Sequence, residues 1–349
     1  MNILAIDTSC DETAVAVTSG RTVISHVEYS QIYLHKQYGG VMPSVAKRAH
    51  EERIDMVIEQ ALKRAHIGIK DIDHIAVTYG PGLAIALEVG IKKAFELASA
   101  HRKSVIPVNH MEGHLYSAFV QNKNGNPDRD ITFPLLGLLV SGGHTELVLW
   151  TGHLSYKIIG QTIDDAAGEA LDKAARMVGF EYPGGPVLEK FARDVHNADP
   201  YKFPRPMMRS QDLNLSFSGL KTAFLYCTRK MNEEEKNENI KNLSSSFQEA
   251  VFDSLMKKTE QAIKQYNVMN LVAGGGVVIN QRFRYLLRNL VHKYKGTVYF
   301  PSYNYLTSDN AAMIGVAAYF KAQKNIFVKK DGILDRVPRL SLENGYAID

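Results

Sequence analysis

Two periods of apolar spacing run through the chain and cut it into two halves of the same element order. Residues 2–7, 13–18 and 22–30 read as short strands, with the polar turn Asp7-Thr-Ser-Cys-Asp-Glu12 joining the first two. Between Ser44 and Ala65, the positions Ile54, Val57, Ile58, Ala61, Leu62 and Ala65 recur at intervals of three and four, which predicts an amphipathic helix. A strand over 73–79, the turn Tyr79-Gly-Pro-Gly82, a helix ending near Ala100 and a strand over 104–108 follow. The second half repeats this order. Strands over 133–141, 145–151 and 156–163 precede helices between Asp165 and Tyr266, a strand over 270–274, a helix from Ile279, a strand over 297–300 and a helix from Asn310 to Gln323.

A duplicated order of three strands, helix, strand, helix, strand, helix predicts an α/β protein of two lobes around a cleft, with ligands near the turns at strand ends. The expected division is a first lobe over 1–130, a second with helical insertions over 131–325, and a tail over 326–349 that reads as poorly ordered from Lys329. The acidic run Asn232-Glu-Glu-Glu-Lys-Asn-Glu-Asn reads as a solvated helix end or loop. Pro200 to Arg209, a proline-broken basic stretch, reads as surface filler rather than an RNA contact.

Composition narrows the class. At 349 residues the chain is long enough for a large core, and its 41 basic against 37 acidic residues leave a net charge of only +4. Any surface for nucleic acid must therefore be a local patch. Cys10 and Cys227 are the only cysteines, which excludes a disulfide framework and fits a reducing cytosol. The amino terminus lacks a basic n-region, and the longest apolar run, near Leu135 to Val140, is too short to span a bilayer, so a cytoplasmic protein with no membrane partner is expected.

The strongest chemical signal is Pro107-Val-Asn-His110-Met-Glu-Gly-His114. His110 and His114 stand four residues apart, so on a helix their imidazoles share a face, as metal ligands require. Glu112 points to roughly the opposite face. The pattern differs from the peptidase signature H-E-x-x-H, because Met111 occupies the place of the general base. Without a metal, the same residues would be two partly exposed histidines at a helix start.

Three strand-end turns could receive a phosphate: Asp7-Thr8-Ser9, Ser141-Gly142-Gly143-His144-Thr145, and Gly274-Gly275-Gly276 followed by Asn280. Glycines there let backbone amides approach an anion closely, although Gly-Gly and Ser-Gly also make ordinary turns. Asp165, Glu169 and Asp172 fall on one helical face, a crowding of like charge that a ribose or a magnesium ion would relieve. Asp309 reads as a helix N-cap that lobe closure could also bring to the histidines.

Taken together, these residues resemble a known family. Ala5-Ile-Asp-Thr-Ser-Cys-Asp-Glu-Thr13, Tyr79-Gly-Pro-Gly-Leu83, Asn109-His-Met-Glu-Gly-His114, Ser141-Gly-Gly-His-Thr145, Asp164-Asp-Ala-Ala-Gly-Glu-Ala170, Pro183-Gly-Gly-Pro186, Ser216-Phe-Ser-Gly-Leu-Lys-Thr222 and Gly274-Gly-Gly-Val277 are similar, in order, to the motifs of the TsaD family. Its members are catalytic subunits of the bacterial tRNA threonylcarbamoyladenosine synthase, formerly described as O-sialoglycoprotein endopeptidases. The resemblance covers residues 2 to 325 and implies the duplicated actin-like, sugar-kinase-like and Hsp70-like (ASKHA) fold with a central cleft.

It also implies an activity: an acyltransferase that moves the threonylcarbamoyl group from threonylcarbamoyl-AMP to the adenosine 3′ of the anticodon in tRNAs reading codons that begin with A. Carried over by position, His110, His114 and Asp309 match metal ligands, for Fe(II) or zinc. Leu139, Val140, Ser141, Gly142, Gly143, Asp172, Gly185 and Asn280 match contacts to the nucleotide ligand, Mg-ATP or an adenylate, with Glu189 a candidate for the ribose. Glu12 and Lys221 match positions near the reacting phosphate and carbonyl. The implied partners are tRNA, a TsaB-like scaffold paralogue and a small TsaE-like ATPase. Two positions depart from the family: Thr307-Ser308 stand where Cys-Thr is usual, and Ser44 where an acid is common.

Three rivals are weighed against this. A metallopeptidase would need a base at Met111. An ATPase or small-molecule kinase of the same fold would need a catalytic aspartate and no histidine pair, and a non-catalytic scaffold paralogue would lack both the histidines and the triple glycine.

Overall fold

Both halves of the chain build a five-stranded sheet with the same strand order. The structure, a computed structural model, describes residues 1–329 and 332–344. It divides into two units: Met1–Phe133, Gly152–Tyr156 and the described residues from Pro301 form the first, while Pro134–Thr151 and Lys157–Phe300 form the second.

In chain order the first unit contains β1 (Asn2–Asp7), β2 (Glu12–Ser19), β3 (Thr22–Ser30), α1 (Ile32–His35), α2 (Pro43–Ala65), β4 (His74–Gly80), α3 (Ala84–His101), β5 (Ser104–Asn109) and α4 (His110–Tyr116). The second contains β6 (Leu135–Val140), most of β7 (Thr145–Gly152) and β8 (Ser155–Gln161), then α5 (Ala167–Met177), α6 (Gly185–Asp194), α7 (Ser218–Arg229), α8 (Glu233–Tyr266), β9 (Leu271–Gly274), α9 (Gln281–Lys293) and β10 (Val298–Tyr299). Helix α10 (Ala311–Gln323) returns to the first unit.

The strand orders are β3-β2-β1-β4-β5 and β10-β9-β6-β7-β8, the second being the first read from its other end. In each, an antiparallel pair (β1 with β2, β6 with β7) meets parallel strands (β4, then β5; β9, then β10).

Alternation along β1 and β2 explains how the first sheet is covered on both faces. Leu4, Ile6, Val15 and Val17 join one buried cluster with Ile54, Val57, Ile58 and Ala61 of α2 and Leu87 and Ala94 of α3. Ile3, Ala5, Ala14 and Ala16 point the other way and are also fully buried. The small side chains on that face admit α10, whose Gly315 lies so close that a Cβ there would stand 2.6 Å from Thr18 Oγ1. Helix α10 is apolar on nearly every side and is buried accordingly.

Two expectations change here. The cut at 130/131 with a second lobe running to 325 does not hold, because α10 packs on the first sheet. Nor do the described residues after 326 form a poorly ordered tail. Val328 donates its amide to Val105 O at 2.9 Å, Val337 donates to Tyr79 O at 2.7 Å, and Leu334, Leu340 and Leu342 are buried. The rest of that expected tail, residues 330–331 and 345–349, lies outside the described residues.

The second unit is centred on α8. Its Phe247 and Phe252 meet Phe224 of α7 and Phe283 of α9 edge-on at 4.9 and 5.5 Å. The acidic run at its start is a helix end, with Asn232 and Glu235 bonded reciprocally as a capping box. The basic stretch before α7 is not filler: Phe203 is buried, and Arg205 bonds Asp199 at 2.5 Å and Asp253 of α8 at 2.8 Å. Among the described residues, no helix is long and apolar enough to cross a membrane.

Candidate functional site

Strand β5 runs straight into the helix that carries the histidines. Asn109 caps α4, its side-chain oxygen accepting from the amides of Met111 at 2.8 Å and Glu112 at 3.4 Å. His110 and His114 are then one turn apart, with ring centroids separated by 4.7 Å. Gly113 keeps α4 close to α10, since a Cβ there would meet Ile314 Cδ1 at 2.9 Å. That approach brings in Asp309, which precedes α10. The cap of α10 is Asn310, which accepts from the Met313 amide at 3.0 Å, so Asp309 is free of the capping role expected for it.

Asp309 Oδ1 lies 3.2 Å from His110 Nε2 and 3.3 Å from His114 Nε2. One donor atom from each of the three residues falls within 4.8 Å of the others. Both imidazoles are buried, whereas the Asp309 side chain keeps 24% of its surface exposed, leaving a side for approach. Behind the first ring, His110 Nδ1 is held by Asp7 Oδ2 at 3.3 Å and Ser9 Oγ at 3.2 Å. His114 Nδ1 is buried with no hydrogen-bond partner among the described residues.

The electrostatics suit a cation. Burial alone would drive His110 toward its neutral form, but Asp309 and Asp7 reverse this and hold its pKa well above the ordinary value. Burial lowers that of His114, against the bond from Asp309. Asp309 is opposed by burial, yet His110 and then His114 keep it ionised, well below the usual carboxylate range. His110 thus sits between two acidic side chains at the position where a divalent ion would bind. Two imidazole nitrogens and one carboxylate, with a carboxylate ordering one imidazole from behind, form a donor set that fits Fe(II) or zinc. Glu12, at the start of β2, is pushed well above the usual range by burial and by the charges of Asp11 and Asp309.

The second unit assembles its own set at the end of β6. Leu139 and Val140 are fully buried, and the chain then turns through Ser141, Gly142 and Gly143, with the Ser141 amide donating to His144 O at 2.8 Å and the His144 amide to Ser141 Oγ at 3.0 Å. Gly142 and Gly143 are exposed with nothing within 4 Å of where a Cβ would stand, so their amide edge is open to an anion. Gly168 and Gly275 back this turn, and a Cβ on either would meet a carbonyl oxygen, of Ser141 at 2.6 Å or of Val140 at 2.4 Å. Gly275 also has φ +98, a conformation open mainly to glycine. We expect Gly275→Ala to displace the turn and destabilise the second unit by about 1–3 kcal/mol, read by chemical denaturation.

Asp172 Oδ1 accepts from the amides of Gly184 at 2.8 Å and Gly185 at 2.9 Å. Asn280 caps α9 and reaches Gln248 Oε1 at 2.9 Å, and next to it the Gln281 amide donates to Glu189 Oε1 at 2.7 Å. The crowded acidic face resolves differently from expectation. Helix α5 starts only at Ala167, and Lys173 bridges Asp165 and Glu169, each at 2.8 Å. Lys221 pairs with the same Asp165 at 2.5 Å. Lysines of this chain thus pair with Asp165 and Glu169, while Asp172 is held by the two glycine amides.

A sequence profile described as TsaD, tRNA N6-adenosine threonylcarbamoyltransferase, matches residues 22–316. A protein of that name from Staphylococcus haemolyticus is 45% identical, over 94% of each chain. The chain belongs to this family. Among solved structures, HypF of T. kodakarensis aligns with TM-score 0.62 at 15% identity, over 93% of this chain and 48% of that one. A ROK hexokinase from Thermus thermophilus aligns with TM-score 0.50 at 13% identity, over 93% of this chain and all of that one. At such identities these two speak for the fold alone, the duplicated α/β architecture shared with sugar kinases.

For a family member, the residues that sequence reasoning missed are those behind the histidines. Asp7 and Ser9, read from sequence as part of a phosphate turn, also back His110: Asp7 Oδ2 pairs with its Nδ1 and Ser9 Oγ hydrogen-bonds it, while Thr8 Oγ1 donates to Ala86 O at 2.9 Å. A carboxylate closing a strand level with a histidine that closes another would have been the signal. Its detection needs the strand order, since β4 lies between β1 and β5.

Proposed function

We propose that this chain is the acyltransferase that moves the threonylcarbamoyl group of threonylcarbamoyl-AMP onto N6 of the adenosine 3′ of the anticodon, in tRNAs that read codons beginning with A. The observation that carries this reading is family membership over 94% of the chain, with two buried histidines and a partly exposed aspartate assembled in one cluster. His110, His114 and Asp309 would hold one divalent ion, Fe(II) or zinc, which when bound supplies Lewis acidity to a carbamoyl or phosphate oxygen.

The residues themselves bind and orient. Asp7 and Ser9 fix the His110 ring through Nδ1, so that Nε2 faces the ligand position. The amides of Gly142 and Gly143 receive the adenylate phosphate, while Asp172, Gly185, Glu189 and Asn280 frame its ribose and base. Glu12 and Lys221 serve near the phosphate and carbonyl. In the reaction, the adenine N6 lone pair attacks the carbamoyl carbon, the bond from that carbon to the phosphate oxygen breaks, AMP leaves with the electron pair, and N6 sheds one proton. Because an adenine amine is a weak nucleophile, holding it in line is the main contribution. No covalent enzyme intermediate is needed.

We assign the chain to the cytoplasm, where its tRNA substrate is found and its two thiols stay reduced. A TsaB-like scaffold paralogue and a TsaE-like ATPase are its proposed partners. The test supplies threonylcarbamoyl-AMP and such a tRNA, with both partner proteins present, and counts nucleosides by mass spectrometry. Modified adenosine is the expected result. Its absence from a metal-replete preparation, while a control family member makes product, would overturn transfer as this chain's own activity.

A further inference from the structure

We propose that a basic, aromatic depression at the β3 edge of the first unit seats a single-stranded stretch of the tRNA substrate. The identity of the RNA rests on the transferase reading; the surface itself is argued from its residues. The depression is shallow and open, about 1,100 Å³, and its lining includes His26, Lys63, Arg64, His66, Lys123 and Tyr305. Among the described residues none of its lining side chains is acidic, so three full positive charges face the space without a carboxylate. In a chain of near-balanced charge this is the kind of local patch that a polyanion requires.

The rings add a second, independent feature. His26 stacks on Tyr305 at 5.1 Å and 27°, and Tyr305 stacks on Tyr303 at 5.9 Å and 18°, which makes a ladder of three nearly parallel planes. Stacked planes flanked by cations are how single strands are gripped without base-specific contacts. Burial and the charge of Arg64 lower the pKa of His26 to about 4, so its ring is neutral at physiological pH, and its buried Nε2 has no hydrogen-bond partner among the described residues.

The surface is also held in place. Val23 donates its amide to Gln121 O at 2.8 Å, which fixes the segment bearing Asn122 and Lys123 against β3, and Asn122 Nδ2 donates to the Tyr303 hydroxyl at 2.7 Å. The loop that carries Tyr303 and Tyr305 continues to Asp309, four residues beyond Tyr305. A strand seated on Tyr305 therefore lies against the same loop that supplies the carboxylate of the histidine cluster.

The experiment titrates the full chain with fluorescently labelled, unmodified tRNA at several salt concentrations. It compares wild type with Lys63→Glu/Lys123→Glu, Tyr305→Leu and Tyr305→Phe. Both lysines are exposed, and only Lys63 lies in the last turn of α2, so the charge reversal should lower the melting temperature by no more than a few degrees. The double reversal should weaken binding at least about tenfold and make the slope of log K against log salt shallower by about 1.5. Tyr305→Leu should weaken it roughly tenfold, and Tyr305→Phe, which keeps the stack, by less than about twofold. Wild-type affinity in the reversed and leucine variants would overturn the proposal, as would a wild type that binds no tRNA, or variants that lose only a protein partner. The transferase reading is judged separately by modified adenosine from the wild type, so either idea can fail alone.

Discussion

Replacing His110 and His114 together with alanine should strip the chain of bound metal and lower threonylcarbamoyl transfer by at least about a thousandfold. Two of the three clustered donors disappear, and the Lewis acidity lost with the ion is worth several kcal/mol of transition-state stabilisation, roughly a factor of ten per 1.4 kcal/mol. The alanines also remove the imidazole that lies between Asp7 and Asp309, leaving two carboxylates close together, so this variant should lose stability as well. Asp309→Asn separates the two effects, because it keeps the shape and removes only the ligand charge. It should lose metal and activity while melting within a few degrees of wild type. Asp7→Asn should weaken metal binding by about 10- to 100-fold, since it acts through the orientation of His110. Elemental analysis of the purified proteins and nucleoside counting by mass spectrometry read both quantities. Equal product from wild type and from both the double-alanine and Asp309→Asn proteins would retire the metal while leaving the transferase.

Much of the architecture was legible because each element announces its own period. The strands at 2–7 and 22–30 and the helix from Pro43 to Ala65 fall where alternation or three-and-four spacing puts them. Repetition of the order in the second half was enough to foresee the matched sheets. The position of α10 was not legible, because sequence order suggests a linear cut and only the small side chains of Ala5, Ala14 and Ala16 reveal that the last helix completes the first sheet. The histidine pair was visible through its spacing. Asp309 could not be told from an N-cap, since Asp309 and Asn310 are both good caps and only the bond to the Met313 amide shows which one serves. The acidic face at 165–172 is relieved in part locally, by Lys173 four residues on from Glu169, and in part by Lys221, whose pairing with Asp165 becomes visible only once α5 and α7 pack together. The basic depression left no motif at all, being drawn from residues near 25, 63, 122 and 305.

The same reasoning leads to an ion pair behind the histidines that local sequence gives no hint of. Lys321, on α10, puts its Nζ 3.1 Å from Glu112 Oε2 of α4, with the two side chains 0% and 1% exposed. Lys321 also donates to Pro107 O at 2.9 Å, and Tyr156 donates its hydroxyl to Glu112 Oε1 at 3.0 Å. Lys321→Ala would leave the Glu112 charge buried without this cation, so we expect a loss of about 3–5 kcal/mol in unfolding free energy, measured by urea denaturation. Removing both charges in Lys321→Met/Glu112→Leu should cost less than the single change, because no uncompensated charge remains; the residual loss of about 1–3 kcal/mol would come from polar partners such as Pro107 O. A single variant within about 0.5 kcal/mol of wild type, a change typical of surface sites, would show that the pair does not tie the helices. If it does tie them, the consequence reaches the histidine cluster, because α4 carries both histidines and Asp309 stands two residues before the start of α10. Loosening that tie should lower the metal content of the folded protein even though neither Lys321 nor Glu112 belongs to the donor set, and Lys321→Met/Glu112→Leu should recover part of it.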